Sequence, residues 1–186
     1  AGRTGWRYMD SAFDPASAPW RYPLGGELAY TFGPDTVELQ PSWVATPLTA
    51  IEFEGRTAWG QDSQMPFRVV SADWQESDRL MSAFMTAFGR DTNEFLIGFR
   101  GRLNGVMLGT FSRPRIEASF DGMGIEAWNV SWGRGRGRVV VENSYLDVVD
   151  GAFEQDGSVV QVDGRFAIGF PRVDGGEEIN ARFDLA

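Results

Sequence analysis

Lysine, histidine and cysteine are missing from this sequence, and all 17 basic residues are arginine. Without histidine the commonest general base is gone, without cysteine the thiol nucleophile and the soft metal ligand, and without lysine the Schiff-base amine. Carboxylates, hydroxyls and tyrosine are the groups left for chemistry. Zero cysteines leave the redox compartment open, because a β-protein of an oxidising compartment need not carry disulfides. Positive charge is scarce as well: a net charge of −9 opposes nucleic acid and opposes docking on an anionic membrane through charge. There is no signal peptide and no apolar run near the length of a membrane helix. The sequence starts at Ala1 and stops at Ala186 within an alternating stretch (Ile179, Ala181, Phe183, Leu185), which reads as a segment of a larger protein.

What is abundant is glycine, 23 residues, set in alternating patterns. Val160, Val162, Gly164, Phe166, Ile168 and Phe170 share one parity, with Gln161, Asp163 and Arg165 between them. Period-2 alternation marks a half-buried strand. A two-residue hairpin at Asp163-Gly164 would send Phe166 and Ile168 to the opposite face, so one long strand with a central glycine is expected. Thr49, Ile51, Phe53, Gly55, Thr57 and Trp59 repeat the device, as do Phe95, Ile97, Phe99, Gly101 and Leu103. Long strands bent at internal glycines predict a mainly β fold, a long antiparallel or mixed sheet curled into a U-shaped trough with an apolar inner face. A closed β-sandwich or jelly roll built from the same residues is the alternative, and parity alone does not separate the two.

In order along the chain, residues 1–25 (Trp6, Tyr8, Pro15, Pro19, Pro23) read as an irregular aromatic and proline-rich arm with room for one short strand, and 26–186 as the trough segment. Val37, Leu39 and Trp43 are expected on one strand face. One amphipathic helix is expected near 74–88, capped by Asp73 and Glu76, with Leu80, Met81, Phe84, Met85 and Phe88 as its apolar stripe. Asp121-Gly122, Asp150-Gly151, Asp156-Gly157 and Asp174-Gly175 read as turns, and Gly133–Arg138 as a glycine-arginine turn with solvated or paired arginines. Glu52 and Glu54 share a face opposite the apolar one, so they form no catalytic pair. Trp128 and Trp132 line one strand face. Asp91, Asn93 and Glu94 lack the calcium-loop pattern. No enzyme activity, metal site or cofactor is expected.

The runs GRLNGVMLGTFSRPRIEASFDG (101–122), AWNVSWGRGRGRVVVENSYLDV (127–148) and DGSVVQVDGRFAIGFPRVDGGEEINARF (156–183), with TPLTAIEFEGRTAWG (46–60), resemble the C-terminal region of TamB-like translocation and assembly proteins within the AsmA-like group. That resemblance implies a β-taco segment of an inner-membrane-anchored protein in the periplasm of a diderm bacterium. It implies a part in phospholipid transport to the outer membrane or in outer-membrane protein assembly, with phospholipid and an outer-membrane barrel protein as partners. An acyl chain offers only dispersion and desolvation, about 0.8 kcal/mol per buried CH₂, so its path needs a continuous apolar wall and no catalytic group. The candidate lipid-groove residues are Leu28, Tyr30, Phe32, Ile51, Phe53, Phe67, Val69, Phe99, Ile116, Phe120, Val160, Val162, Phe166, Ile168, Ile179 and Phe183. From a different class, the aromatic content also suits a carbohydrate-binding β-sandwich.

Overall fold

A computed structural model describes residues 1–12, 21–58, 63–77, 98–110, 113–127, 130–142, 145–167 and 178–184. They form one 11-stranded sheet in which every strand pairs with its neighbours in sequence. The strands are β1 Gly2–Ala12, β2 Arg21–Phe32, β3 Thr36–Ala45, β4 Thr49–Ala58, β5 Ser63–Ser71, β6 Gly98–Thr110, β7 Arg113–Ala127, β8 Val130–Glu142, β9 Tyr145–Gln155, β10 Ser158–Ala167 and β11 Glu178–Asp184. All ten pairings are antiparallel, and β1 and β11 are the edges, so the sheet is an open meander rather than a barrel.

The closed sandwich is thereby corrected: among the described residues there is one sheet and no second sheet facing it. Burial says the same. The buried apolar residues are mostly small (Ala29, Ala45, Ala58, Val69, Ala118, Ile125), while the large ones alternate between half-buried and exposed. The chain exposes 11857 Å², where a compact monomer of 20.6 kDa exposes about 8,900 Å². A single curled layer explains the excess, because its concave side chains shelter one another without a covering layer.

The strand through Gly164 is continuous, as its parity predicts. Val162 pairs with Gly151, Gly164 with Val148 and Phe166 with Leu146, with no reversal at Asp163-Gly164. Gly55 and Gly101 are likewise internal to β4 and β6, and Asn104-Gly105 lies within β6. Of the four Asp-Gly pairs expected as turns, Asp156-Gly157 is the hairpin. Both residues have positive φ (51° and 81°), as a type I′ turn requires, and Gln155 pairs with Ser158 across it. Asp121-Gly122 and Asp150-Gly151 are not turns but interior residues of β7 and β9, and Asp174-Gly175 lies outside the described residues. Gly133–Arg138 is no turn either. It is the middle of β8, with its glycines on one face and its arginines on the other.

Bulges account for the remaining corrections. The expected arm includes β1, eleven residues long and paired with β2, so strand structure begins well before residue 26. In β3 one extra residue between Leu39 and Ser42 shifts the register against both β2 and β4. Trp43 therefore leaves the face of Val37 and Leu39, standing opposite Glu52 at 39% exposure, and Ser42 takes the inner position opposite Phe53. The Ser42 hydroxyl donates to the Gln40 carbonyl (2.7 Å) and accepts from the Ala29 N–H (3.1 Å), satisfying backbone groups that the bulge takes out of the ladder. A second bulge in β9 shifts β8, β9 and β10 together, between Arg136 and Arg138, Val148 and Gly151, and Val162 and Gly164. These shifts line up as a crease across three strands. Asp163, beside the glycine, accepts the Asp150 N–H at 2.7 Å and holds the crease from outside.

Of the expected helix, residues 74–77 are described and helical; the rest lies outside the described residues. Asp73 caps the turn through the Gln75 N–H (3.0 Å). Glu76 does not complete the capping pair. Its carboxylate accepts instead from the Thr46 hydroxyl and the Leu48 N–H in the turn between β3 and β4.

Candidate functional site

The site is the inner face of the trough, and the register assembles it row by row. One row runs Leu39, Gly55, Met65, Met107, Ile116, Val141, Leu146. The next runs Ser42, Phe53, Phe67, Gly105, Ala118, Val139, Val148, Gly164, and a third Val44, Ile51, Val69, Leu103, Phe120, Gly137. A fourth joins Ser71, Gly101, Gly122, Gly135, Phe153 and Val160. None of these positions carries a charged residue. Ten strand spacings of about 4.8 Å make the face about 48 Å long across the strands.

Most of the expected lining stands on this one face. Leu28, Tyr30 and Phe32 on β2, Ile51 and Phe53 on β4, Phe67 and Val69 on β5, Phe99 on β6, Ile116 and Phe120 on β7, and Val160 and Val162 on β10 share it. Phe32 is the outlier at 67% exposure, at a rim where its ring meets Tyr30 edge-on at 5.1 Å. Phe166, Ile179 and Phe183 occupy register positions opposite Leu146, Gly164 and Val160. Ile168 lies outside the described residues. The expected lining omits Met65, Leu103, Met107, Val139, Val148 and Phe153, which also stand in these rows, although Leu103 shares the alternation read through Gly101. Parity with Phe67 and Phe99 was the available signal for the first three, whereas Val148 and Phe153 have opposite parity and come together only through the β9 bulge.

Glycine is concentrated on the same face, and several of these glycines make room for an aromatic neighbour. A Cβ on Gly122 would run into the Phe99 ring, one on Gly135 would lie 2.7 Å from Phe153, and one on Gly137 2.9 Å from Phe120. A Cβ on Gly105 would meet the Phe67 ring at 2.8 Å. On the concave side of a curved sheet, side chains converge, so large residues fit only where neighbours are small. The inner glycines and aromatics are thus two halves of one packing solution. They cluster toward one end, where Trp74 meets Phe99 edge-on (5.8 Å), Phe120 lies 6.1 Å from Phe153, and Trp132 lies 5.8 Å from Phe153.

Hydroxyls border the apolar band on β4 and β5. Ser63, the most deeply buried side chain among the described residues, bonds Thr57 at 3.1 Å, and at the opposite end Thr49 bonds Ser71 at 2.8 Å. Ser77 donates to Thr49 at 2.7 Å, so the helical turn is tied to the inner face beside Trp74 and Phe99. This hydroxyl and carboxylate cluster is satisfied within itself: no buried side-chain polar atom among the described residues lacks a partner.

Along the described strands charge is confined to the outer face. Arg165 forks onto Asp147 (2.6 and 2.8 Å), and Arg115 reaches Glu117 (2.8 Å) and Glu142 (2.9 Å). Hydrogen bonding from Arg165, reinforced by its charge, holds the Asp147 carboxyl below its ordinary value despite partial burial. Glu52 and Glu54 are exposed there, with Arg68 opposite Glu52. Trp128, Asp91, Asn93 and Glu94 lie outside the described residues. Among the described residues no cluster of three metal-ligating side chains occurs, and no helix is long and apolar enough to cross a membrane. Compared with protein-family models, curated proteins and solved structures, the chain matches none.

Proposed function

We propose that this chain is a non-enzymatic conduit segment that shelters lipid acyl chains in its trough, as part of a TamB-like protein bridging the periplasm of a diderm bacterium. The observation that carries this reading is the inner face itself: several uncharged rows crossing many strands, with no second layer over them among the described residues. A soluble monomer rarely leaves so wide an apolar surface without a use for it. Sliding cargo needs a wall of low specificity, in which backbone groups stay paired within the ladder and side chains offer dispersion alone. Phospholipid is the cargo, and an outer-membrane barrel protein the acceptor, in this reading. The sugar-binding alternative loses the sandwich on which it depends.

Site-specific photocrosslinking tests the proposal. A benzophenone amino acid at position 67 faces the trough, and one at position 68 faces outward. In envelope preparations of a diderm bacterium expressing the protein, irradiation is expected to attach phospholipid at 67 and not at 68. Equal labelling at both positions, or none at 67 in folded protein, refutes the conduit. The variant Phe67→Asp is expected to reduce lipid adducts formed from a second inner probe at position 139.

A further inference from the structure

The outer face carries a feature that the conduit reading leaves unused. Six exposed arginines, Arg68, Arg100, Arg102, Arg134, Arg136 and Arg138, are gathered on β5, β6 and β8 of a chain whose net charge is −9. The register explains the gathering. Val70, Arg102, Asp121 and Arg136 form one outer row, Arg68, Asn104, Ser119 and Arg138 the next, and Arg100 stands opposite Met123. The glycine-arginine run of β8 contributes three of the six, because alternation sends its glycines inward and all its arginines out.

Four carboxylates, Glu52, Asp121, Asp150 and Glu154, adjoin them in register or by ion pairing. Arg134 pairs with Asp121 (3.6 Å) and Arg138 with Asp150, while Arg100 donates to the Ala72 carbonyl (3.2 Å). Among the described residues Arg68, Arg102 and Arg136 make no ion pair. Opposite Arg102 and Arg100 stand Val70 and Met123, 42% and 58% exposed, on the floor of a shallow cleft of about 460 Å³ that Arg68, Arg100 and Arg102 also line. Apolar floor and unpaired guanidinium forks are what an acidic segment interspersed with apolar side chains would complement.

We propose that this outer patch docks an acidic, partly apolar extended segment of a partner protein. A segment suits it better than a membrane does. Arg102 and Arg136 are two strand spacings apart, about 10 Å, so the patch spans a few residues of one chain. A bilayer would have to meet the acidic remainder of the outer face too, and the net charge opposes that approach. The patch lies across the sheet from the trough and does not depend on what the trough holds.

The probe is a short fluorescein-labelled peptide alternating glutamate and leucine, titrated into the protein with anisotropy as readout. Binding is expected, weakening as salt rises. The triple variant R68S/R102S/R136S, changed only at exposed positions, is expected to bind at least tenfold more weakly, and R3S, which removes an exposed arginine outside the patch, to bind like the parent. Absence of binding overturns the proposal, as does an equal loss in R3S. It is also overturned if anionic phosphatidylglycerol vesicles, and not the peptide, bind the parent and are lost in the triple variant.

Discussion

If the inner face is concave, adding a methyl group to it should cost far more than a larger change on the outer face one residue away. Gly105 and Asn104 are the pair that tests this. A Cβ at Gly105 would press on the Glu117 carbonyl oxygen, lie 2.6 Å from the Ala118 Cβ and 2.8 Å from the Phe67 ring. Phe67 can rotate, but the first two belong to the β7 backbone or hang directly from it, so relief requires prising β6 from β7. Overpacking of that kind costs about 1–3 kcal/mol. With contacts on two sides, G105A is expected near the middle of that range and G105V at or above the top. Asn104 is exposed and stands opposite Arg68 and Ser119 on the outer face, so N104V is expected within about 0.5 kcal/mol of the parent. Urea unfolding followed by tryptophan fluorescence reads the difference. At a slope of about 2 kcal/mol/M, a loss of 2 kcal/mol lowers the midpoint by about 1 M. Indistinguishable midpoints for G105A and the parent would mean that the inner face is not crowded, and the concave curl would lose its main physical support.

Three further outcomes follow from single contacts. S42A leaves the Ala29 N–H and Gln40 carbonyl at the β3 bulge without their buried partner, and should cost about 1–3 kcal/mol in the same unfolding assay; S42T, which retains the hydroxyl, should recover part of it. D163A removes the acceptor of the Asp150 N–H at an exposed position, so the expected loss is about 1 kcal/mol, with hydrogen exchange accelerated at Asp150 and its crease neighbours. The Asp147 carboxyl has a folded-state pKa below its unfolded value of 3.8, so its stabilisation is fully present above that pH and lost as pH falls through the folded value. D147N should flatten that part of the acid-unfolding profile: its deficit, no more than about 1 kcal/mol because the pair is partly exposed, is expected at neutral pH and should disappear as pH falls through the folded value.

The places where sequence and structure part company share a cause. Asp150 and Asp156 have almost the same φ, 52° and 51°, and each precedes a glycine. One pair makes a hairpin and the other a bulge. The local chemistry is common to both; the difference lies in whether the flanking residues pair with each other or continue along two separate neighbours. Trp43 shows the same limit from the other direction. Its parity matches Val37 and Leu39, and a single extra residue near Pro41 reverses its face. Parity survives a glycine, as at Gly55, Gly101 and Gly164, because a bend without an inserted residue preserves alternation. It does not survive a bulge.

By itself the sequence determined that the strands are long, that Gly164 interrupts none of them, and that nearly all expected lining residues share a side, since side-chain direction in a strand follows from backbone alternation alone. It also determined the inner face's freedom from charge, because charged residues fall on the other parity. Whether that side would be sealed or left open was decided only in three dimensions. An apolar stripe has the same spacing under a second sheet as it has in a gutter; what differs is the curvature, set by bulges, creases and the fit of rings such as Phe67, Phe99, Phe120 and Phe153 over glycines on the next strand.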